Sequence, residues 1–412
     1  MKIYESIRPD ENTRISKLFG ITIYKQTYNK KTTEKFQNFL GGIITTYKIS
    51  DVYGYHIEKN IKILGIPFMK RCEDGSNKIW YIANKQIKKV SLLSIFKDKY
   101  SKYFDKKYDH IYILNANSGE AYLFLTYVLD TFRKRNNSKN PLIVATKKYH
   151  VEMIELICPE VPHIYIDGIN HNIKGDKFTI DNQTFYMLFS SEHFMQTEID
   201  IKNNPVNTVH YFNSLLNRLN IDQSEVSMRS IKPSISSEQS MLNKIDKTGL
   251  NIDKFVFIAP EAKSCKVLSD TFWIDLINSI QSKGFDIFVN IADKIEDNSV
   301  NLNNIQYKSC FLTYSEVFAL AQKAKRIISL RSGLSEFLLQ TNVPMDIIYT
   351  KFRKRQVFND MSVEQVFSGF NISKLPYVNS ENINEIIVDT QSQKENIEKI
   401  IEGLCSDRMC KK

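Results

Sequence analysis

Closely spaced cysteine pairs are missing from this chain. Its six cysteines, Cys72, Cys158, Cys265, Cys310, Cys405 and Cys410, are scattered through 412 residues without a Cys-x-x-Cys pair. That excludes a disulfide scaffold and a cysteine-based zinc ribbon, and it fits a reducing compartment. Runs of ~18 apolar residues are also missing, so no membrane-spanning helix is expected. Residues Met1 to Glu11 are charged and lack the apolar stretch of a secretory signal. These absences predict a cytoplasmic protein whose contact with the inner membrane, if it makes one, is peripheral. No Walker loop, no His/Cys cluster and no Asp-x-Asp after a strand is found, so no cofactor and no bound metal are expected. The RNP, helix-turn-helix and zinc-finger patterns are likewise missing, and no nucleic-acid partner is expected.

What is present is an ordinary globular composition, 42% hydrophobic and 25% charged, with a formal net charge of +10. A basic balance suits a phosphorylated ligand or an anionic surface. The length implies two or three domains.

The first hundred residues differ from the rest. Their short apolar runs are broken by Gly, Pro, Asn and Lys, and two fragments resemble each other: Lys17-Leu18-Phe19-Gly20-Ile21 and Lys62-Ile63-Leu64-Gly65-Ile66. Asp74-Gly75-Ser76-Asn77 reads as a hairpin turn. Residues 1–100 are read as a small β-rich accessory region. From residue 108 strands and helices alternate, with strands at 109–114, 141–145 and 163–166, a helix at 121–135 and another at 149–158. A helix is expected at 205–219, and a polar link at 222–251. The alternation restarts with strands at 255–259, 285–290, 326–330 and 345–349. A helix is expected over 382–404. Two parallel sheets with helices on their faces follow from this order. The domain reading is 101–235 and 250–385 for two Rossmann-like halves, and 386–412 for a C-terminal helix.

The most informative stretch is Leu312 to Pro344. Thr313 or Ser315 can cap a helix that starts near Glu316. An apolar strand then ends in Arg331-Ser332-Gly333, and a new helix begins at once. Gly333 permits close backbone approach, and a helix start offers free N–H groups to a diphosphate. Arg331 suits either a bidentate phosphate contact or a surface ion pair. Glu316 and Glu336 suit either helix capping or contact with a nucleotide or sugar.

This stretch resembles the donor-binding segment of the heptosyltransferases of lipopolysaccharide synthesis and their relatives. Gly333, Leu334 and Ser335 match that pattern and Ser332 stands for its Thr, whereas Arg331 and Glu336 replace its Asp and His. A second segment, Pro260-Glu261-Ala262-Lys263-Ser264 with Trp273 downstream, is similar to the family's phosphate-side loop. There Lys263 and Ser264 would contact phosphate beside Pro260. A third, Asn117-Ser118-Gly119-Glu120, resembles the acceptor-side turn whose acid is the family's proposed general base, and Glu120 takes that position. His193 is the next candidate. The resemblance implies a GT-B α/β fold, with two Rossmann-like domains facing across a cleft, and a small β-rich N-terminal extension. It also implies transfer from a nucleotide-sugar donor to a glycan or lipid-linked acceptor, in capsule- or lipopolysaccharide-like biosynthesis. Glu120 is expected to face Gly333 with room for a sugar between them. His150 and His210 are read as structural, and Lys351 to Arg355 as a solvated loop or a face toward anionic lipid. The alternative is a catalytically inactive GT-B scaffold that binds a partner.

Overall fold

A computed structural model describes residues 4–10, 12–19, 21–29, 34–50, 56–74, 76–169, 176–188, 191–291, 300–302, 305–352, 361–388 and 393–406. Side chains 4–5, 29, 41, 50, 56, 191–195, 393 and 405–406 lie outside that description, as does the Arg353 to Arg355 part of the basic run. The chain forms two compact units, Met1–Asp109 with Gly168–Met195, and His110–Asp167 with Gln196–Lys412.

The first unit opens with nine strands: β1 Tyr4–Asp10, β2 Thr13–Leu18, β3 Ile21–Asn29, β4 Glu34–Phe39, β5 Ile44–Ser50, β6 His56–Ile63, β7 Ile66–Asp74, β8 Asn77–Ile82 and β9 Lys85–Ser91. Each pairs antiparallel with the next, giving one nine-stranded meander. This is far larger than a small extension. Most of its residues are half-buried or exposed, so cross-strand pairs rather than a deep core hold it. Tyr24 packs on Phe39 with ring centres 5.1 Å apart, and Lys70 pairs with Glu58 at 2.8 Å. The resemblance between the two early fragments has a structural meaning: Leu18 pairs with Ile21 and Ile63 with Ile66, so both are two-residue hairpins. The Asp74 turn forms as expected, with its carboxylate accepting from the N–H groups of Ser76 at 2.9 Å and Asn77 at 2.6 Å. α1, Leu92–Tyr100, follows.

The second unit begins with β10, His110–Leu114. The helix expected over 121–135 is instead α2, Ser118–Leu123, a π-type turn, Phe124–Val128, and α3, Leu129–Arg135. The wider turn keeps Phe124, Leu125, Tyr127 and Val128 all buried, an inward-facing run that a 3.6-residue period cannot supply. β11 Pro141–Ala145, α4 Lys148–Ile157 and β12 His163–Tyr165 complete a parallel set, in which β11 lies between β10 and β12. The sequence reading missed a hairpin of the first unit, β13 Lys177–Ile180 and β14 Gln183–Leu188. Its signal was Asp181-Asn182, whose φ angles of 49° and 69° are those of a type I′ turn. In that unit Phe178 and Phe185 pack on Phe96 of α1, with ring centres 5.1 and 5.5 Å away.

α5, Ser191–Asn203, carries His193. α6 spans only Tyr211–Arg218 of the helix expected from 205, because Asn207 takes a left-handed φ of 71°. The polar link contains α7, Ile235–Asp246. Then come β15 Phe255–Ala259, α8 Asp270–Ser282, β16 Asp286–Val289, α9 Tyr314–Ala321, β17 Arg326–Leu330, α10 Gly333–Leu338, β18 Met345–Tyr349, α11 Val363–Phe370, β19 Ile383–Ile387 and α12 Gln393–Ser406. These strands form a second parallel sheet in the order β16-β15-β17-β18-β19. Residues 383–387 had been expected in a helix. They pair in parallel with Met345–Tyr349, and Asn384 donates to Asp346 at 2.7 Å while Arg326 pairs with the same buried carboxylate.

All residues of β10 except His110, and all of β11, β15, β17 and β18, are buried, as strands covered on both faces should be. Trp273, Phe272, Leu276 and Ile277 of α8 pack against Val256, Ile258, Ile328 and Ile348 in the core of the C-terminal sheet. Two α/β sheets within one unit are the two-Rossmann, GT-B plan.

Candidate active site

The turn from β10 into α2 is closed by its own side chains. Asn117 caps the helix, and the Glu120 carboxylate accepts from the Asn117 N–H at 3.1 Å. Burial, and after it the nearby Glu336 carboxylate, push the Glu120 carboxyl above its ordinary range, against the pull of Arg331 and its amide bond. Tyr149 donates to the Ala116 carbonyl at 3.4 Å, and Lys147 Nζ donates to the same oxygen.

The turn from β17 into α10 is closed in the same manner. Ser332 N–H donates to Ser335 Oγ at 2.8 Å, and that hydroxyl donates to the Ser332 carbonyl at 2.6 Å. Arg331 does not stand free for a phosphate. Its guanidinium pairs with Glu336 at 2.5 Å, donates to the Phe370 carbonyl at 3.2 Å and lies 5.3 Å from the Tyr211 ring centre. Tyr211 OH also donates to Glu336 Oε1. Glu336 Oε2 is buried without a hydrogen-bond partner.

The two turns meet. A methyl group at Gly333 would fall 2.5 Å from Ser118 Oγ and 2.9 Å from Gly119 Cα, and one at Gly119 would fall 3.0 Å from Gly333 Cα. Real Cβ atoms do not come within 3.0 Å of other heavy atoms, so Gly333 must be glycine for the two backbones to abut, while a methyl group at Gly119 would also fall 2.2 Å from Glu336 Oε2. The gap of sugar width expected between Glu120 and Gly333 is therefore closed in this structure. Helix starts that should open on a ligand instead face each other.

The remaining candidates divide into exposed and engaged. Lys263 and Ser264 are exposed, Pro260 is buried, and Lys263 Nζ reaches Asn117 Oδ1 at 3.5 Å. Residues 146 apart in sequence thus share one rim. Leu334 is half-buried. Glu316 is engaged: it accepts from Ser240 at 2.6 Å, Lys244 at 2.7 Å and the Thr313 N–H at 2.8 Å. Burial works against its charge, but these donors outweigh burial and hold the carboxyl below its ordinary range. His150 accepts at Nδ1 from the Thr146 N–H at 3.4 Å, and burial lowers its pKa to about 3. His210 donates from Nε2 to the Asn371 carbonyl at 2.9 Å, and burial lowers it to about 4. Both are neutral internal ligands of the fold. The His193 side chain lies outside the described residues. Tyr211, Lys147 and Lys244 join the site without a sequence signal, because tertiary packing alone brings them there. Among the described residues, no group of three His, Cys, Asp or Glu side chains is arranged to hold a metal ion, and no helix is long and apolar enough to cross a membrane.

No family model matches the chain, and no curated protein matches it in sequence. Solved structures do. The family 9 glycosyl transferase from Veillonella parvula DSM 2008 is 12% identical with a TM-score of 0.45, over 71% of this chain and 88% of that one. The iron-containing dodecameric glycosyltransferase TibC from enterotoxigenic E. coli H10407 is 14% identical with a TM-score of 0.42, over 73% and 75%. E. coli ADP-heptose lipopolysaccharide heptosyltransferase II is 9% identical with a TM-score of 0.42, over 73% and 99%. The chain is thus similar in structure, at low identity, to glycosyltransferases of family 9 and to heptosyltransferases.

Proposed function

We propose that the chain is a glycosyltransferase that moves a sugar from a nucleotide-sugar donor to a glycan or lipid-linked acceptor, in cytoplasmic assembly of a cell-surface polysaccharide. One observation carries this reading. Lys263 from the C-terminal sheet and Asn117 from the N-terminal half lie 3.5 Å apart, beside Glu120 and at the carboxyl ends of parallel strands, where α/β folds bind ligands. In this reading Glu120 takes the proton of the acceptor hydroxyl as that oxygen bonds to the anomeric carbon. The bond to the diphosphate breaks, and Lys263 offsets the charge on the leaving group. Ser264 adds a hydroxyl donor, and no metal is required. For a sugar to enter, the halves must part at Gly119 and Gly333.

The closed glycine contact and the sequestered Arg331 favour a second reading, an inactive scaffold of the same fold. Thermal unfolding across a panel of nucleoside diphosphates separates the two. A ligand at 100 times its Kd stabilises by about 2.7 kcal/mol. The enzyme reading expects one nucleotide to raise the midpoint, with chelator present, and Lys263→Ala to abolish that rise. If no nucleotide raises the midpoint and no nucleotide sugar is turned over, the scaffold reading stands instead.

A further inference from the structure

The meander of the first unit has two unlike ends. At one end lie the turns β2–β3, β4–β5, β6–β7 and β8–β9; the first three carry large apolar side chains at their tips, and the fourth is Ala83-Asn84. Phe19 is 56% exposed, Ile21 70%, Leu40 57%, Leu64 72% and Ile66 70%. These turns are neighbours: Leu64 N–H donates to the Ile43 carbonyl at 2.7 Å, and Ala83 N–H to the Phe68 carbonyl at 3.1 Å. Ile43, Ile63, Phe68 and Ile82 are exposed alongside them. At the opposite end, the described turn residues are Asp10, Asn12, Asp74, Ser76 and Asn77, all polar.

Backbone conformation makes the apolar tips harder to explain as chance. Phe19, Leu40 and Leu64 have φ angles of 51°, 50° and 53°. Hairpin turns place Gly, Asn or Asp at such positions, because other side chains are strained there. At these three positions a large apolar side chain is exposed to water, whereas the β8–β9 turn holds Ala83 and Asn84 at left-handed φ angles.

Charge completes the pattern. Residues 1–100 hold 19 Lys and Arg against 9 Asp and Glu, and the other 312 residues balance 37 against 37, so this stretch carries the whole +10 of the chain. Lys17 and Lys62 lie two residues before Phe19 and Leu64, and Lys85 follows the β8–β9 turn. Exposed apolar tips set within lysines are the arrangement that enters the headgroup region of an anionic bilayer. A second copy of this end would bring like charges together, and a soluble polyanion would leave the apolar tips in water.

We propose that this turn end of the meander docks on an anionic phospholipid bilayer, with Phe19, Leu40 and Leu64 inserted and the neighbouring lysines at the headgroups. The proposal stands independently of the reaction at the second unit. Flotation of the full chain with vesicles tests it, using phosphatidylcholine alone and phosphatidylcholine with phosphatidylglycerol. The expected result is binding to the phosphatidylglycerol vesicles that falls with added salt. The triple variant Phe19→Asn, Leu40→Asn, Leu64→Asn should partition about tenfold or more weakly. Asn accepts a left-handed φ, so the variant should unfold at the same temperature as the parent or higher. Equal flotation of parent and triple variant overturns the proposal. So does no gain from phosphatidylglycerol, or a dimer in sedimentation that the triple variant dissolves while neither form binds vesicles.

Discussion

Replacing Gly333 with alanine probes the contact on which the site geometry turns. In an open helix this change would stabilise the protein by ~1 kcal/mol, because glycine is the costlier helix residue. Here the added methyl would sit 2.5 Å from Ser118 Oγ and 2.9 Å from Gly119 Cα. Backbone on the far side cannot swing away as a flexible side chain can, so an overpacking cost of about 1–3 kcal/mol opposes the gain. The crowding is tighter than nearly any real contact, so the upper part of that range should win, with a net loss of about 2 kcal/mol. Trp80 lies in the meander and Trp273 is fully buried in the second unit. Urea unfolding followed by Trp273 fluorescence in a Trp80→Phe background therefore reports the second unit alone. Gly119→Ala should cost a similar amount. The double variant should cost less than the two together, because once the turns have parted the second methyl meets nothing new. If Gly333→Ala is as stable as its parent or more so, the two helix starts do not abut in solution, and the closed geometry is refuted.

Glu120→Gln should lower turnover by ~10²–10⁴-fold with nucleotide binding unchanged, measured by steady-state kinetics and thermal shift, if Glu120 is the base; near-full activity would leave it a helix cap. Arg331→Met should destabilise by about 3–5 kcal/mol by leaving Glu336 buried without its cation, and Glu336→Gln in the same chain should restore part of that; an equal loss in both variants would refute the ion-pair account. The pKa of His210 is depressed to about 4, so its stabilising share is full above pH 6.5 and is lost as pH falls toward 4. That share is about 3 kcal/mol, and His210→Gln should flatten this part of the stability curve in urea titrations at stepped pH.

Much of the second unit was legible because its strands are short apolar runs between polar turns. Phe255 to Ala259, Arg326 to Leu330 and Met345 to Tyr349 are strands at the expected residues. What failed was local pattern against tertiary pairing. Ile383 to Ile387 joins a sheet edge that no short window reveals, and the π-type turn after Leu123 follows from burial on all sides. At the site, the capping roles of Glu120 and Glu316 could be read from spacing, since each lies three residues after its cap residue. The meeting of Gly119 with Gly333 could not. The two glycines are 214 positions apart in the chain, and each alone is an ordinary glycine at a strand-to-helix turn.

The closed caps have a consequence for how tightly any anion can be held here. Asn117 with Glu120, Thr313 with Glu316 and Ser332 with Ser335 each occupy the N–H groups that a diphosphate would seek. A tethered side chain is a resident competitor that dilution cannot remove. If one such cap is worth ~1 kcal/mol, it stands open about one-sixth of the time, and an anion's apparent Kd is about sixfold weaker than its intrinsic value. Weak carboxylates and single phosphates in the surrounding solution would then fail to hold these turns open, while a ligand gripped elsewhere by its sugar and base would not. The caps would thus act as a threshold that rewards whole substrates over their fragments.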